Sequence, residues 1–267
     1  MTTLVTRVLP PTSVRTNGWK LVQRNYLVYR RAWVVFLTGF FEPVFYLFSI
    51  GVGVSQLVGG VTLPGGQVVA YTAFVAPAML AASAMNGAIF DSTYNIFFRL
   101  KYAKLYDTVL ATPMRPWDIA TGEIAWALLR GGVYSGAFLL VMALMGLVES
   151  WWAVLALPAT LLIGFGFAGV GMALTTFMRS WQDFEFVTLT TIPMFLFSAT
   201  FYPLSVYPAA LQWLIEVTPL YRAVVLCREL VTGVLTPSSA ISVLYLLAMG
   251  AVGLWIASRR LSHLLLK

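Results

Sequence analysis

Few residues in this chain could do covalent chemistry. The single cysteine, Cys227, excludes an internal disulfide and every multi-cysteine metal motif, and the single histidine, His263, lies close to the end of the sequence. Zinc and haem find no ligand set, and no nucleophile, base and orienting group occur together. Gly164-Phe-Gly166-Phe-Ala-Gly169 satisfies GxGxxG, with Asp183 nineteen residues after the first glycine. That spacing cradles a dinucleotide only when a strand precedes it and a helix begins at it. Here the glycines sit inside one apolar run, where small residues let two helices approach closely. No GxxxxGK[ST] loop occurs, so this common route to splitting ATP is closed.

The unusual residues are charges inside apolar runs. Glu42, between Phe41 and Pro43, lies nine positions beyond Trp33, and Arg130 is followed by eighteen uncharged residues. Such a charge costs about 3 kcal/mol or more in a bilayer unless paired or hydrated. Glu42 and Arg130 enter from the same face to similar depth and are predicted to form an ion pair that organises packing. Proton carriage by Glu42 is the competing use.

The elements that hold these residues follow from composition. Of 267 residues, 60% are hydrophobic and 10% charged, against about 25% charged in soluble domains. There is too little polar surface to cover a soluble core of this kind, and a large soluble domain is excluded. A span needs roughly 20 apolar residues. Six runs qualify: 33–57, 68–90, 124–148, 152–178, 184–202 and 238–256. The predicted fold class is an all-α integral membrane protein with six transmembrane helices, preceded by an amphipathic interfacial helix.

Residues 1–32 form a basic arm with six cations and no acid before Ala32. Trp19, Val22, Tyr26, Tyr29 and Trp33 recur at helical spacing, so the arm is predicted to lie in the interface with Lys20, Arg24 and Arg31 toward anionic lipid. The following apolar run is too long for the core of a cleavable leader. The remainder, 33–267, reads as one six-span membrane domain. Gly59, Gly60, Pro64, Gly65 and Gly66 mark a short turn after span one, and 91–123 is the one sizeable mixed-charge loop. With the N-terminus inside, fifteen Lys and Arg face the cytoplasm and only Arg222 and Arg228 face outward. This positive-inside asymmetry places both termini in the cytoplasm, and it accounts for the +7 charge without nucleic acid. In 203–237, Pro203, Pro208 and Pro219 separate two short apolar stretches, read as two re-entrant helices or a pair lying flat on the outer surface.

Several motifs together are similar to a known family. Phe41-Glu42-Pro43, Ala76-Pro77-Ala78-Met79 leading to Phe90-Asp91-Ser92-Thr93-Tyr94, Ala111-Thr112-Pro113, Asp118, Gly122-Glu123, Trp126, Pro219-Leu220 and Arg228-Glu229 resemble type-2 ABC exporter permeases, nearest to those that export nodulation factors, lipooligosaccharides and polysaccharides. The resemblance implies a six-span half-transporter without catalytic residues, paired with a second copy, a homodimer by expectation, and driven by two copies of a separate ABC ATPase. ATP and magnesium then belong to that ATPase, and this chain carries no cofactor. It implies that 91–123 holds the coupling element, with Leu105, Tyr106, Asp107, Pro113, Arg115 and Asp118 as contacts. It also directs the pathway to spans one, two and five, where Thr188, Thr191, Phe195, Ser198 and Phe201 are candidate lining residues and Pro193 a hinge. The cargo it suggests is an amphipathic lipid-linked oligosaccharide, polysaccharide or glycolipid. Drug or antibiotic efflux by the same machine is the first competitor, a proton-coupled carrier the second, and an intramembrane glycosyl or lipid transferase the third.

Overall fold

The computed structural model describes residues 17–30, 41, 43–62 and 66–265. Ten longer helices and one β-hairpin occur among them, beside two short 3-10 turns (Trp181–Asp183 and Leu204–Val206). In chain order they are α1 (Gly18–Tyr29), α2 (Pro43–Val58), β1 (Gly60–Thr62), β2 (Val68–Ala70), α3 (Tyr71–Tyr102), α4 (Leu105–Leu110), α5 (Pro116–Leu144), α6 (Trp151–Thr175), α7 (Phe184–Phe197), α8 (Ala209–Val217), α9 (Pro219–Thr232) and α10 (Pro237–Leu265). Among the described residues, α3, α5, α6 and α10 are each long and apolar enough to cross a membrane, and the pair α8 and α9, bent by 84°, becomes a fifth if counted as one span. The chain is thus an all-helical, multi-pass membrane protein. The first predicted span is described only from Pro43 within α2 onward, and α7 has 14 residues, about 21 Å of rise.

The two central helices, α6 and α10, cross where glycines face each other. A Cβ on Gly169 would come within 2.6 Å of the Gly250 carbonyl oxygen, and one on Gly253 within 2.3 Å of the Gly169 carbonyl carbon. No side chain fits there, which explains the glycine pattern in span four as helix packing. α3 and α5 flank this seam.

Three local expectations are revised. The turn after span one is a hairpin, with Val61 opposite Val69, because β-branched Val61, Thr62, Val68 and Val69 favour a pleated pair. The segment expected as a loop from 91 to 123 is mostly helix. α3 continues to Tyr102 and α5 begins at Pro116, leaving α4 and two short connections. Charges such as Arg99 and Lys101 end the apolar run without ending the helix. The extension is wound in two π-turns, Asp91–Asn95 and Phe98–Tyr102, each carrying one extra residue per turn. The arm's aromatic stripe also splits. Val22, with Leu21 and Asn25, is buried against α5, while Trp19 and Tyr26, seven residues apart on the other edge, are exposed. Trp33 lies outside the described residues.

Candidate functional site

The site has two parts joined by α3. The first lies at the basal end of the bundle, where α1, α4 and the start of α5 meet. Gly18 and Gly122 allow α1 to press onto α5: a Cβ on Gly122 would sit 2.6 Å from the Gly18 carbonyl oxygen. Asp118 then fastens both helix starts, accepting hydrogen bonds from the backbone N–H groups of Asn17 and Arg115, each at 3.0 Å. One turn on, buried Glu123 gathers three elements. Its carboxylate accepts from Asn25 Nδ2 of α1 at 3.1 Å, from the Tyr106 hydroxyl of α4 at 3.1 Å, and from the Arg99 guanidinium of α3 in a buried ion pair. Burial, and then the adjacent carboxylate, push the Tyr106 hydroxyl well above its ordinary ionisation range, so it remains a donor. Both carboxylate oxygens of Glu123, which burial removes from water, thereby accept from at least one donor.

The predicted coupling residues divide on this geometry. Asp107, Pro113 and Arg115 are exposed and Leu105 is half-buried, while Tyr106 and Asp118 are buried and tie α4 and α5 to the bundle. Lys104, with φ of 45°, turns the chain sharply between α3 and α4. What α4 and the 111–115 connection turn outward includes Asp107, Thr108, Thr112 and Arg115, with Glu123 behind them.

The second part lies further up α3. Asp91, the first residue of the first π-turn, pairs with Arg130 of α5 at 3.0 Å, and both are buried. Asn95 Nδ2 donates to the same carboxylate at 2.6 Å, and the Arg130 guanidinium lies over the rings of Tyr29 and Tyr134 at 5.6 and 5.7 Å. The predicted partner Glu42 lies outside the described residues. Asp91 was missed because it seemed to open a loop; only continuation of the helix brings it to Arg130. Thr175 of α6 supports the π-turn, its hydroxyl 3.0 Å from the Ser92 carbonyl oxygen.

Arg130 also lines a cavity of about 580 Å³ bounded by α2, α3, α5 and α7. Its polar wall comes from Ser83, Asn86, Thr191 and Tyr46, its apolar wall from Phe90 and Phe195 among others. Of the candidate pathway residues, Thr191 and Phe195 border this cavity. Ser198 and Phe201 are buried at the distal end of α7, where Ser198 pairs with Thr218 at 3.3 Å and Phe201 packs edge-on against Phe195 at 5.4 Å. The Thr188 hydroxyl bonds back to the Phe184 carbonyl at 3.3 Å and lines neither this cavity nor the larger apolar one described below. Ser83 and Asn86 escaped sequence reading, although an amide three residues after a hydroxyl within an apolar run was a visible sign.

At the distal end, Arg228 of α9, read from sequence only as an outward charge, turns into the protein. Its guanidinium covers the Phe74 ring at 3.9 Å and donates to the carbonyl oxygens of Phe74 and Ala199 at 3.3 and 2.9 Å. It thus ties α9 to the start of α3 and to the turn after α7.

Apolar helices of spanning length, a buried ion pair and a polar cavity inside the bundle define a multi-pass membrane protein with a polar interior. A family model described as ABC-2 type transporter matches residues 16–232, and the chain belongs to that family. It is a membrane transport subunit. Among its relatives are proteins named Nodulation protein J: that of Rhizobium leguminosarum bv. viciae is 34% identical over 220 residues, covering 81% of this chain and 83% of the relative. That of Rhizobium leguminosarum bv. trifolii is 35% identical over 214 residues, 79% of each chain. The Neorhizobium galegae protein is 28% identical over 253 residues, covering 92% and 95%.

Proposed function

We propose that this chain is the permease half of an ATP-driven exporter in the bacterial cytoplasmic membrane, moving a lipid-linked oligosaccharide or a related amphiphile outward. One observation carries the reading. A single rod, α3, lines the polar cavity with Asn86 and Phe90, pairs with Arg130 through Asp91, and ends at the Glu123 node that holds α4. Movement of α4 by a docked ATPase is thereby transmitted along one helix to the cavity wall.

In this reading the basal end faces the cytoplasm, as the basic residues require. Two ATPase subunits dock on Asp107, Pro113 and Arg115, and ATP with magnesium stays on those subunits. Two permease copies assemble as a homodimer around α7 and the first span. Six spans result when the run from 33 onward and α7 are added to the four long helices, with α8 and α9 as the re-entrant pair. Glu42, next to cavity-lining Pro43, serves as a second acid for Arg130. Pro193, which leaves the Leu189 carbonyl of α7 without its helical donor, is the hinge.

The test is reconstitution with the cognate ATPase in vesicles and measurement of ATP-dependent transfer of a fluorescent acylated oligosaccharide. Glu123→Gln and Tyr106→Phe should leave the ATPase bound but cut transfer per ATP hydrolysed. Aromatic cavity-lining residues also suit a flat drug. Stimulation of ATP hydrolysis by hydrophobic drugs, with none by the acylated oligosaccharide, would favour efflux of the former. Transfer driven by a pH gradient without the ATPase would replace the reading by a carrier.

A further inference from the structure

On the other side of α7 from the polar chamber lies a larger cavity, an apolar trough of about 1060 Å³. Its basal corner is made by Phe177, Met178 and Arg179, which follow α6, and by Asp183 at the start of α7. Here α10 contributes two cations that the sequence marked only as charges of the inner face. The Arg260 guanidinium lies over the Phe177 ring at 4.2 Å, and that of Arg259 lies over Trp255, one turn back on α10, at 4.4 Å.

The glycine seam sets this meeting. Phe177 is eight residues beyond Gly169 and Arg260 seven beyond Gly253, about two turns of chain in each case, so the close crossing carries both side chains to one level. Arg260 is 23 residues beyond Pro237, the first residue of α10, about 35 Å of rise. A hydrocarbon core is about 30 Å thick, and the bilayer with its headgroups about 40 to 45 Å. A helix that starts at the distal surface therefore brings Arg259 and Arg260 to the phosphates of the basal leaflet.

These cations have no counter-ion among the described residues. The ion pairs found there belong to Arg99 and Arg130, and Arg260 Nε is enclosed without a hydrogen-bond partner. Asp183, the acid of the corner, accepts instead from the backbone N–H groups of Arg179 and Ser180 at 2.6 and 3.1 Å. Each aromatic ring holds one face of a guanidinium and leaves the N–H groups at its edge as a fork that matches phosphate oxygens. Two cations one residue apart, with no acid engaged, repel the amine of a zwitterionic head and attract a head of net negative charge.

We infer that the basal ends of α6 and α10 form a seat for the phosphate of a net-anionic phospholipid, held by Arg260 and Arg259. Its occupant is a resident lipid and not the transported molecule, so the seat does not depend on the export reading. A lipid bound there clamps the seam beside the basal anchor of α7.

Native mass spectrometry of the full permease in a non-ionic detergent, without ATPase or nucleotide, tests this. Phosphatidylglycerol should be retained several-fold more than phosphatidylcholine with the same acyl chains. The double variant Arg259→Gln, Arg260→Gln should lower phosphatidylglycerol retention to the phosphatidylcholine level, and Arg259→Gln alone, at an exposed position, should lower it at least twofold. Lys101→Gln with Lys104→Gln, the same loss of charge at exposed positions, should not. Equal retention of the two lipids by the parent overturns the proposal. So does undiminished retention in the double arginine variant or, should that variant not be recovered folded, in Arg259→Gln. An equal fall in the lysine variant would reduce the seat to general charge attraction, and displacement of the lipid by an equal concentration of inorganic phosphate would give it to a soluble anion; either result also overturns it. Export is not measured, so the export reading stands or falls separately.

Discussion

The seam between α6 and α10 and the isolated helix α7 are built in opposite ways. At the seam, Gly166, Gly169, Gly250 and Gly253 bring backbones into contact and leave no space for a Cβ. Along α7, Phe184 is the one buried residue. The helix is held at its ends: basally by an aromatic cluster in which Phe184 stacks on Tyr94 at 4.1 Å and meets Phe97 edge-on at 5.2 Å, distally by the Ser198 and Thr218 contact. Between those ends lie a polar chamber on one side and an apolar trough on the other. Small-residue contacts between membrane helices favour rigidity, because their van der Waals packing tolerates no displacement. A helix that, among the described residues, is held mainly at its ends has little packing to lose when it moves. The frame and the moving part of the protein are thus separated by packing density.

The contrast breaks first if the seam tolerates bulk. Gly253→Leu must displace the α6 backbone, and the expected loss exceeds about 3 kcal/mol, read as collapse of folded yield and thermal stability in detergent. Leu189→Ala, on the exposed face of α7, should leave both within error of the parent.

Next in size is the buried pair between frame and rod. Arg130→Met alone strands Asp91 and should destabilise by about 3 to 5 kcal/mol, with much of this regained in the Asp91→Leu, Arg130→Met double variant, read from unfolding midpoints. Failure of the double change to recover stability would mean that Arg130 is anchored by another acid, and reversing the charges of Glu42 and Arg130 together tests that acid directly.

Removing a donor from the basal node is milder. Tyr106→Phe deletes one hydrogen bond to a buried carboxylate, about 1.5 to 3 kcal/mol, and should show as weaker coupling of transfer to hydrolysis before any loss of assembly. Pro193→Ala restores a helical hydrogen bond to α7, and transfer should fall by up to about tenfold, equivalent to 1.4 kcal/mol on the barrier, with assembly unchanged.

The smallest effect concerns the basal anchor of α7. The N–H groups of Arg179 and Ser180 hold the exposed Asp183 carboxylate below its ordinary range. A depressed folded value means that the stabilisation is complete above the ordinary carboxylate range and is lost as pH falls through the folded value. Melting of the parent should therefore show a slight acid-dependent drop that Asp183→Asn lacks.

Much of this was legible in the chain. Four of the six predicted runs coincide with long apolar helices, and the glycines of span four were rightly taken for packing, because run length and small-residue spacing are local properties. Thr191 and Phe195, which the resemblance offered as pathway lining, border a cavity in the structure. Ser198 and Phe201 carry the same chemistry but are consumed in packing, a difference set by which neighbours surround the end of α7. Arg99 with Glu123 is separated by 24 residues and Asn25 with Glu123 by 98, and no periodicity links such positions.

By itself, the sequence determined that this chain resides in a bilayer and carries no nucleotide loop, because twenty-seven charges cannot solvate 267 residues of this hydrophobicity. The tertiary structure alone decided which acid among the described residues meets Arg130. Continuation of the helix past its apolar run keeps Asp91 on α3 and in reach of Arg130 of α5, so the partner depends on where a helix ends, which composition does not encode.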